Sequence, residues 1–424
     1  MHICFNALDY PSRLGGGGVG NQVRLLARAL VDAGHRVTVI ALTQRGLPDC
    51  EDDGGIRVYR VKCGNWHWYL SRVPLLGRLL TLPVREFERS LTTYRQMRVL
   101  HQIEHFDLIE GTETGMFGVA RWMFDVPYAI RLHGEPYTFI KYTPGAKLTL
   151  GFRLCRVLQG YALRRARLLI SPSRAHAYEI AEELGCNRPP IEVVANALSR
   201  EMGEAKSEIG NPKSEIRIPE GPIILYVGRL ERGKGVPILL RAAARVLEEV
   251  PTAHLVLAGA EHPSLPRFEL DALLRQLPGK ANAHVLGHVP WHDLFAWYEK
   301  ATVCVLPSHY ETFGLAALEA MVFGVPVVAS MAGGLPEIVE DEVTGLLVPP
   351  GDADALARAV TRILLDPSLR RRLGEQGLHR AREFRVTTQL SSNLALYDRV
   401  VGLRQRQPGA VGEWPSRQKC TSAI

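Results

Sequence analysis

Both halves of this 424-residue chain follow one plan, short β-branched runs alternating with longer stretches of helical periodicity, and few folds satisfy that pattern twice. Parallel strands need a crossover between them, and a helix is the usual one, so each half should hold a parallel sheet flanked by helices. In the first half, strands are expected at residues 2–7, 36–42, 56–61, 107–110, 127–132, 167–171 and 191–195. The second half repeats the plan at 222–228, 254–259, 283–286, 302–306, 326–329 and 345–348. The expected class is α/β, with two domains, which also suits the length.

One segment breaks the rhythm. Residues 199–221 are polar, contain Pro212 and Pro219, and carry a short tandem repeat, Lys206-Ser207-Glu208-Ile209 and Lys213-Ser214-Glu215-Ile216. That composition reads as a linker between a domain at 1–198 and another at 222–380. Residues 381–403 read as a helix crossing back to the first domain, and 404–424 as a disordered tail.

Seven scattered cysteines, with no Cys-x-x-Cys, suit free thiols in a reducing compartment. The sequence opens directly into a strand pattern, so a cytoplasmic protein without a leader is expected. The most apolar stretch, 315–330, is interrupted by Glu319, Gly324 and Pro326 and is too short to span a bilayer. A formal charge of +7 favours anionic partners.

Three motifs carry chemistry. Gly15-Gly16-Gly17-Gly18-Val19-Gly20 follows a strand and opens a helix, where bare backbone amides can approach an anion. Its letters also fit a dinucleotide fingerprint, but the next strand ends in Ile40-Ala41-Leu42-Thr43, without the acid that would bind a ribose. Second, Gly228-Arg229-Leu230-Glu231-Arg232-Gly233-Lys234 lies between a strand end and a helix start, so Arg229 and Lys234 can face a diphosphate. Third, in Glu311-Thr312-Phe313-Gly314-Leu315-Ala316-Ala317-Leu318-Glu319 two acids stand eight apart. With a helix starting near Phe313, Glu311 lies at its mouth, Glu319 two turns down, and the free amides between suit a phosphate.

Taken together with Gly333-Gly334-Leu335-Pro336-Glu337, these motifs resemble glycosyltransferase family 4, from Met1 to about Tyr397. The resemblance implies the GT-B fold, two facing Rossmann-like domains with a cleft between them. It further implies retaining, metal-independent transfer from a nucleotide diphosphate sugar, with no cofactor. Arg229 and Lys234 would neutralise the departing diphosphate, Glu311 would face the sugar near its reacting carbon, and Glu319 would bind the ribose. The amides of Phe313, Gly314 and Leu315 would contact sugar or phosphate, with Gly228 beside them. His133, in Arg131-Leu132-His133-Gly134-Glu135, would hydrogen-bond the transferred sugar, and Gly17 and Gly18 would approach the diphosphate from the other wall. Asn196-Ala197 departs from the family's usual Asn-Gly.

Other features are assigned ordinary roles. His284, His288 and His292 are four apart, but Gly287 and Pro290 deny them one helix face, so no metal site is expected. Asp352-Ala353-Asp354 opens a helix, which makes Asp352 a cap. Ser171 and Ser173 read as turn and capping hydroxyls.

Between Glu135 and Glu179 there are eight Lys or Arg and no acid. Leu150, Leu154, Val157, Leu158 and Tyr161 form a helical stripe there, flanked by Arg153, Arg156, Arg164 and Arg167. Trp66-His67-Trp68-Tyr69-Leu70 and the arginines after it have the same character. The segment Lys147 to Arg167 could lie on an anionic membrane and meet a lipid-linked acceptor, or simply cover the first sheet. A sugar acceptor is the other expectation. The rival functions are an epimerase or phosphorylase on the same fold, and a non-catalytic protein that binds sugar nucleotides or nucleic acid; nucleic acid is not the expected partner.

Overall fold

The computed structural model describes residues 1–10, 18–44, 46–73, 76–123, 125–134, 141–185, 188–198, 219–278 and 282–405. Gly15, Gly16 and Gly17, most of the expected linker and the tail from residue 406 onward lie outside them.

The first sheet contains β1 (His2–Asn6), β2 (Arg36–Leu42), β3 (Cys50–Asp52), β4 (Ile56–Val61), β5 (Leu108–Thr112), β6 (Tyr128–Arg131), β7 (Leu168–Ser171) and β8 (Ile191–Val193). Its order is β3-β4-β2-β1-β5-β6-β7-β8, parallel except for β3. Alternate residues of β1 serve opposite layers. Ile3 and Phe5 join Val23 and Leu30 of the helix Gly18–Asp32, while Cys4 joins Met97 and Val119 on the other face. Both faces being covered explains why the inner strands read as nearly unbroken apolar runs. Sequence periodicity did not anticipate β3, whose polar Cys-Glu-Asp pairs antiparallel to β4 at the sheet edge.

The second sheet holds β9 (Ile223–Val227), β10 (His254–Ala258), β11 (Ala283–Gly287), β12 (Val303–Leu306), β13 (Val327–Ser330) and β14 (Gly345–Val348). All pair in parallel, in the order β11-β10-β9-β12-β13-β14. Ile224 and Tyr226 face one core and Ile223 and Leu225 the other. The expected pair of α/β domains with parallel sheets is present.

The chain then returns to the first domain. The helix Val386–Gln405 buries Leu396, Tyr397 and Val400 against β1, β5 and β7 residues. Under it, Arg131 donates to Glu110 at 2.7 and 3.2 Å, and Asn393 and Tyr397 complete a buried polar network. Where the chain crosses, Leu198 N donates to Phe384 O at 2.8 Å, so the outgoing and returning segments touch.

Candidate active site

The functional motifs of the second domain gather where β9 and β12 end. β9 stops at Val227, and residues 228–235 loop over before the helix Val236–Glu249 begins. Gly235, at φ 72°, makes that start possible, because a Cβ there would lie 1.9 Å from Pro307 O. Within the loop Tyr226 Oη donates to Arg229 O at 2.7 Å, and the Arg229 guanidinium lies 3.0 Å from Glu231. Lys234 Nζ donates to Glu311 Oε2 at 2.6 Å, each side chain about 15% exposed. The loops after β9 and β12 are thereby joined through a lysine and a carboxylate.

The helix after β12 runs Leu315–Val322, so it starts two residues later than expected. Gly314 precedes it at φ 113°, and Glu319 lies one turn down rather than two. Among the described residues nothing accepts from the amides of Phe313, Gly314 and Leu315, which leaves this helix mouth open to an anion. The Phe313 ring itself is core, 4% exposed and edge-on to Phe384, so only its backbone faces the site. Glu319 accepts from Tyr298 Oη at 2.7 Å, and burial raises its carboxyl above the ordinary range. Gly333, at φ 56°, lets its own backbone press on Glu311: a Cβ would stand 1.9 Å from Glu311 O, and Gly334 N donates to that same oxygen at 2.8 Å.

The first domain contributes His133, just beyond β6. Its amide and that of Gly134 donate to Glu113 Oε1 at 2.6 and 3.1 Å. Its Nε2 is buried, and burial, aided by Arg131 and His176, holds the imidazole neutral with a pKa pushed down to about 3. Gly18 begins the first helix with open space around it, and Gly228 is the first residue after β9.

The two halves meet directly. Ser173 Oγ donates to Thr312 O at 2.7 Å, and His176 Nδ1 lies 2.9 Å from Tyr310 Oη. Tyr310 in turn stacks on Tyr142 at 4.5 Å between ring centres. The amides of Arg174 and Ala175, at the start of a first-domain helix, donate to the Glu337 carboxylate at 3.0 and 2.9 Å. Sequence reading missed Glu113, His176, Tyr310 and this role of Glu337. Only Glu337 had a signal, its place in the Gly-Gly-Leu-Pro-Glu motif.

The ordinary roles are also visible. Asp352 caps its helix by accepting from the amides of Asp354 and Ala355. Ser171 Oγ donates to Ser173 O, and Ser173 caps the helix Arg174–Leu184. His284 is in β11 beside His254, while His292 is in the following helix. Among the described residues no three His, Cys, Asp or Glu side chains converge as a metal site would require.

Residues 17–197 match the glycosyl transferase 4-like domain and residues 211–380 the glycosyl transferases of group 1. The D-inositol 3-phosphate glycosyltransferase of Kribbella flavida is 30% identical over 406 residues, covering 92% of each chain. The chain belongs to glycosyltransferase family 4. This glycosyltransferase is also 29% identical to the 2-deoxystreptamine glucosyltransferase of Streptomyces kanamyceticus, over 90% of its own length and 98% of the relative's. Among solved structures, sucrose-phosphate synthase from Thermosynechococcus elongatus superposes with a TM-score of 0.74 at 27% identity, covering 95% and 99% of the two chains. The glycosyltransferase therefore has the GT-B fold, its two parallel-sheet domains facing one another across the residues described above.

Proposed function

We propose that the enzyme transfers a sugar, with retention and without a metal, from a nucleoside diphosphate sugar to an acceptor hydroxyl. The observation that carries this reading is the Lys234–Glu311 pair beside a helix mouth with unaccepted amides, Arg229 standing on the same loop. Cations and helix amides together offer a preorganised home for a diphosphate as negative charge develops on it. Glu311 would face the sugar, Glu319 the ribose, and neutral His133 a sugar hydroxyl, with Gly17, Gly18 and Gly228 lining the diphosphate path. Retention requires the acceptor oxygen to attack the face the diphosphate leaves, and in this reading Arg229 and Lys234 hold the leaving group there.

A titration of UDP, GDP and ADP in EDTA, on wild type and on R229A/K234A, tests it. Metal-free binding of one nucleotide, lost in the variant, supports the reading and names the donor class; binding of none by folded protein overturns it. Product analysis separates transfer from epimerisation or phosphorolysis. The relatives' names carry acceptors as unlike as inositol 3-phosphate and 2-deoxystreptamine, so kinship leaves the acceptor open.

A surface observation favours a membrane-facing acceptor. The helix Leu150–Arg165 buries Gly151, Gly160, Ala162 and Leu163 and turns Leu150, Leu154 and Val157 outward, at 56%, 37% and 68% exposure. These three turn away from the first domain's core, whereas Tyr161 of the same stripe packs against it. Trp66, Trp68 and Tyr69 are equally open, and Arg72 lies 3.6 Å above the Trp68 ring. Part of the basic charge is neutralised, since Arg156 pairs with Glu183 and Lys141 with Glu179, but Arg153, Arg164, Arg165 and Arg167 remain exposed. Apolar rings amid arginines suit an anionic interface. No described helix is long and apolar enough to cross a membrane. Flotation with liposomes containing anionic lipid should show salt-sensitive binding, and its absence would remove the idea.

A further inference from the structure

We infer that Glu113 is a positioning residue for sugar transfer, fixing through the backbone the direction in which His133 meets the sugar. The inference rests on the proposed function, since it gives His133 a sugar to meet.

His133 and Gly134 leave the end of β6, where their amides have no strand partner and where water could satisfy them. Instead both donate to one oxygen of Glu113, a side chain only 3% exposed. Burying a carboxyl is unfavourable, and here it raises the group's pKa to about 7. A fold that needed only two satisfied amides had cheaper options.

The loop that carries Glu113 is itself pinned. Gly115 N donates to the buried carboxyl of Glu86, and Gly115 O accepts from Asn6 Nδ2 at 3.0 Å and from Ser90 Oγ at 3.1 Å. Gly115 and Gly134 both hold positive φ, 80° and 89°, so each loop is bent to suit the contact. The ring so placed presents a buried Nε2 with no partner among the described residues, and His176 Nε2 nearby is in the same state. Buried polar atoms without partners are rare, and these await one. A side chain held through its own peptide keeps its angle when the cleft fills, which a water-solvated loop would not ensure.

The test is steady-state kinetics on the full chain with the donor named by the nucleotide titration. In E113A, kcat should fall tenfold or more while donor KM stays within about threefold, the pattern of a lost transition-state interaction. E113Q keeps an acceptor oxygen and should recover most of the loss. E113A should cost nothing further in an H133A background, because Glu113 acts through that ring. Should E113A not fold, E113D, which retracts the acceptor by one methylene, carries the same expectations. Wild-type kcat in E113A, penalties that multiply in the double variant, or an E113Q as impaired as E113A would each overturn the inference. A wild type that turns over no nucleotide sugar defeats the transferase reading instead, and the backbone amide shift of His133, compared between wild type and E113A, then decides whether the contact sets its pose.

Discussion

Lys234 and Glu311 are bonded to one another at 2.6 Å, so the cation that would receive a diphosphate is already held by the carboxylate that would face the sugar. In the proposed reading, an incoming donor would have to share Lys234 with Glu311 or take it over.

From this, K234A and E311Q should move in different directions. K234A removes a charge-assisted bond worth roughly 1.5–3 kcal/mol and should weaken nucleoside diphosphate binding on the order of 10- to 100-fold. E311Q frees the lysine, so it should bind the same nucleotide at least as well as wild type yet turn over slowly. Calorimetric titration beside initial rates checks both.

Gly333→Ala should damage the site without touching its chemistry. At φ 56° and 1.9 Å from Glu311 O, an added Cβ must displace the backbone that carries Glu311. Loss of donor affinity together with a lower Tm is expected, by both thermal scan and titration; a variant with wild-type affinity would contradict the packing argument.

Acid should destabilise the enzyme through its buried histidines. Burial lowers His133 to about 3 and His176 to about 4, so between pH 6.5 and those values the unfolded chain binds protons that the folded chain refuses. Stability is therefore present above pH 6.5 and is lost as pH falls toward 4. Glu113, raised to about 7, takes up a proton in the folded state over the same range and works the other way, so the histidine contribution is read as a difference: from pH 7 to 4.5 the urea midpoint of wild type should fall relative to that of H176Q.

Breaking the network beneath the returning helix should cost more than any surface change. Arg131, Glu110 and Tyr397 are all at most 6% exposed. R131M strands Glu110 without its cation and should lose about 3–5 kcal/mol, whereas Y397F, removing one hydroxyl, should lose about 1–3 kcal/mol. Denaturant unfolding monitored by tryptophan fluorescence distinguishes the two.

The fold was legible because a parallel sheet covered on both faces leaves runs such as Ile223-Ile224-Leu225-Tyr226-Val227, which no edge or loop could tolerate. The polar strand Cys50–Asp52 was not, because backbone pairing at a sheet edge needs no apolar side chain. In the candidate site, residues carried on glycine-flanked loops at strand ends, such as Arg229, Lys234 and Glu311, leave a local trace. Glu113 and His176 do not, because their significance comes from residues 20 and 134 positions away in the chain, His133 and Tyr310. No window of sequence displays that.

The contact of Leu198 with Phe384 also has a mechanical meaning. The polypeptide passes between the domains twice, and the two passages are clasped at one spot. Two tethers set far apart would restrict the domains to swinging about the line joining them; two tethers clasped together would act as a single pivot, about which the domains could tilt and twist once the contacts of Ser173 with Thr312 and of Arg174 and Ala175 with Glu337 open. The cleft would then widen most at its far rim and least beside Phe384. Because the second tether ends in a helix that completes the first domain's core, cutting the chain after residue 380 would remove the pivot and part of that core in the same stroke.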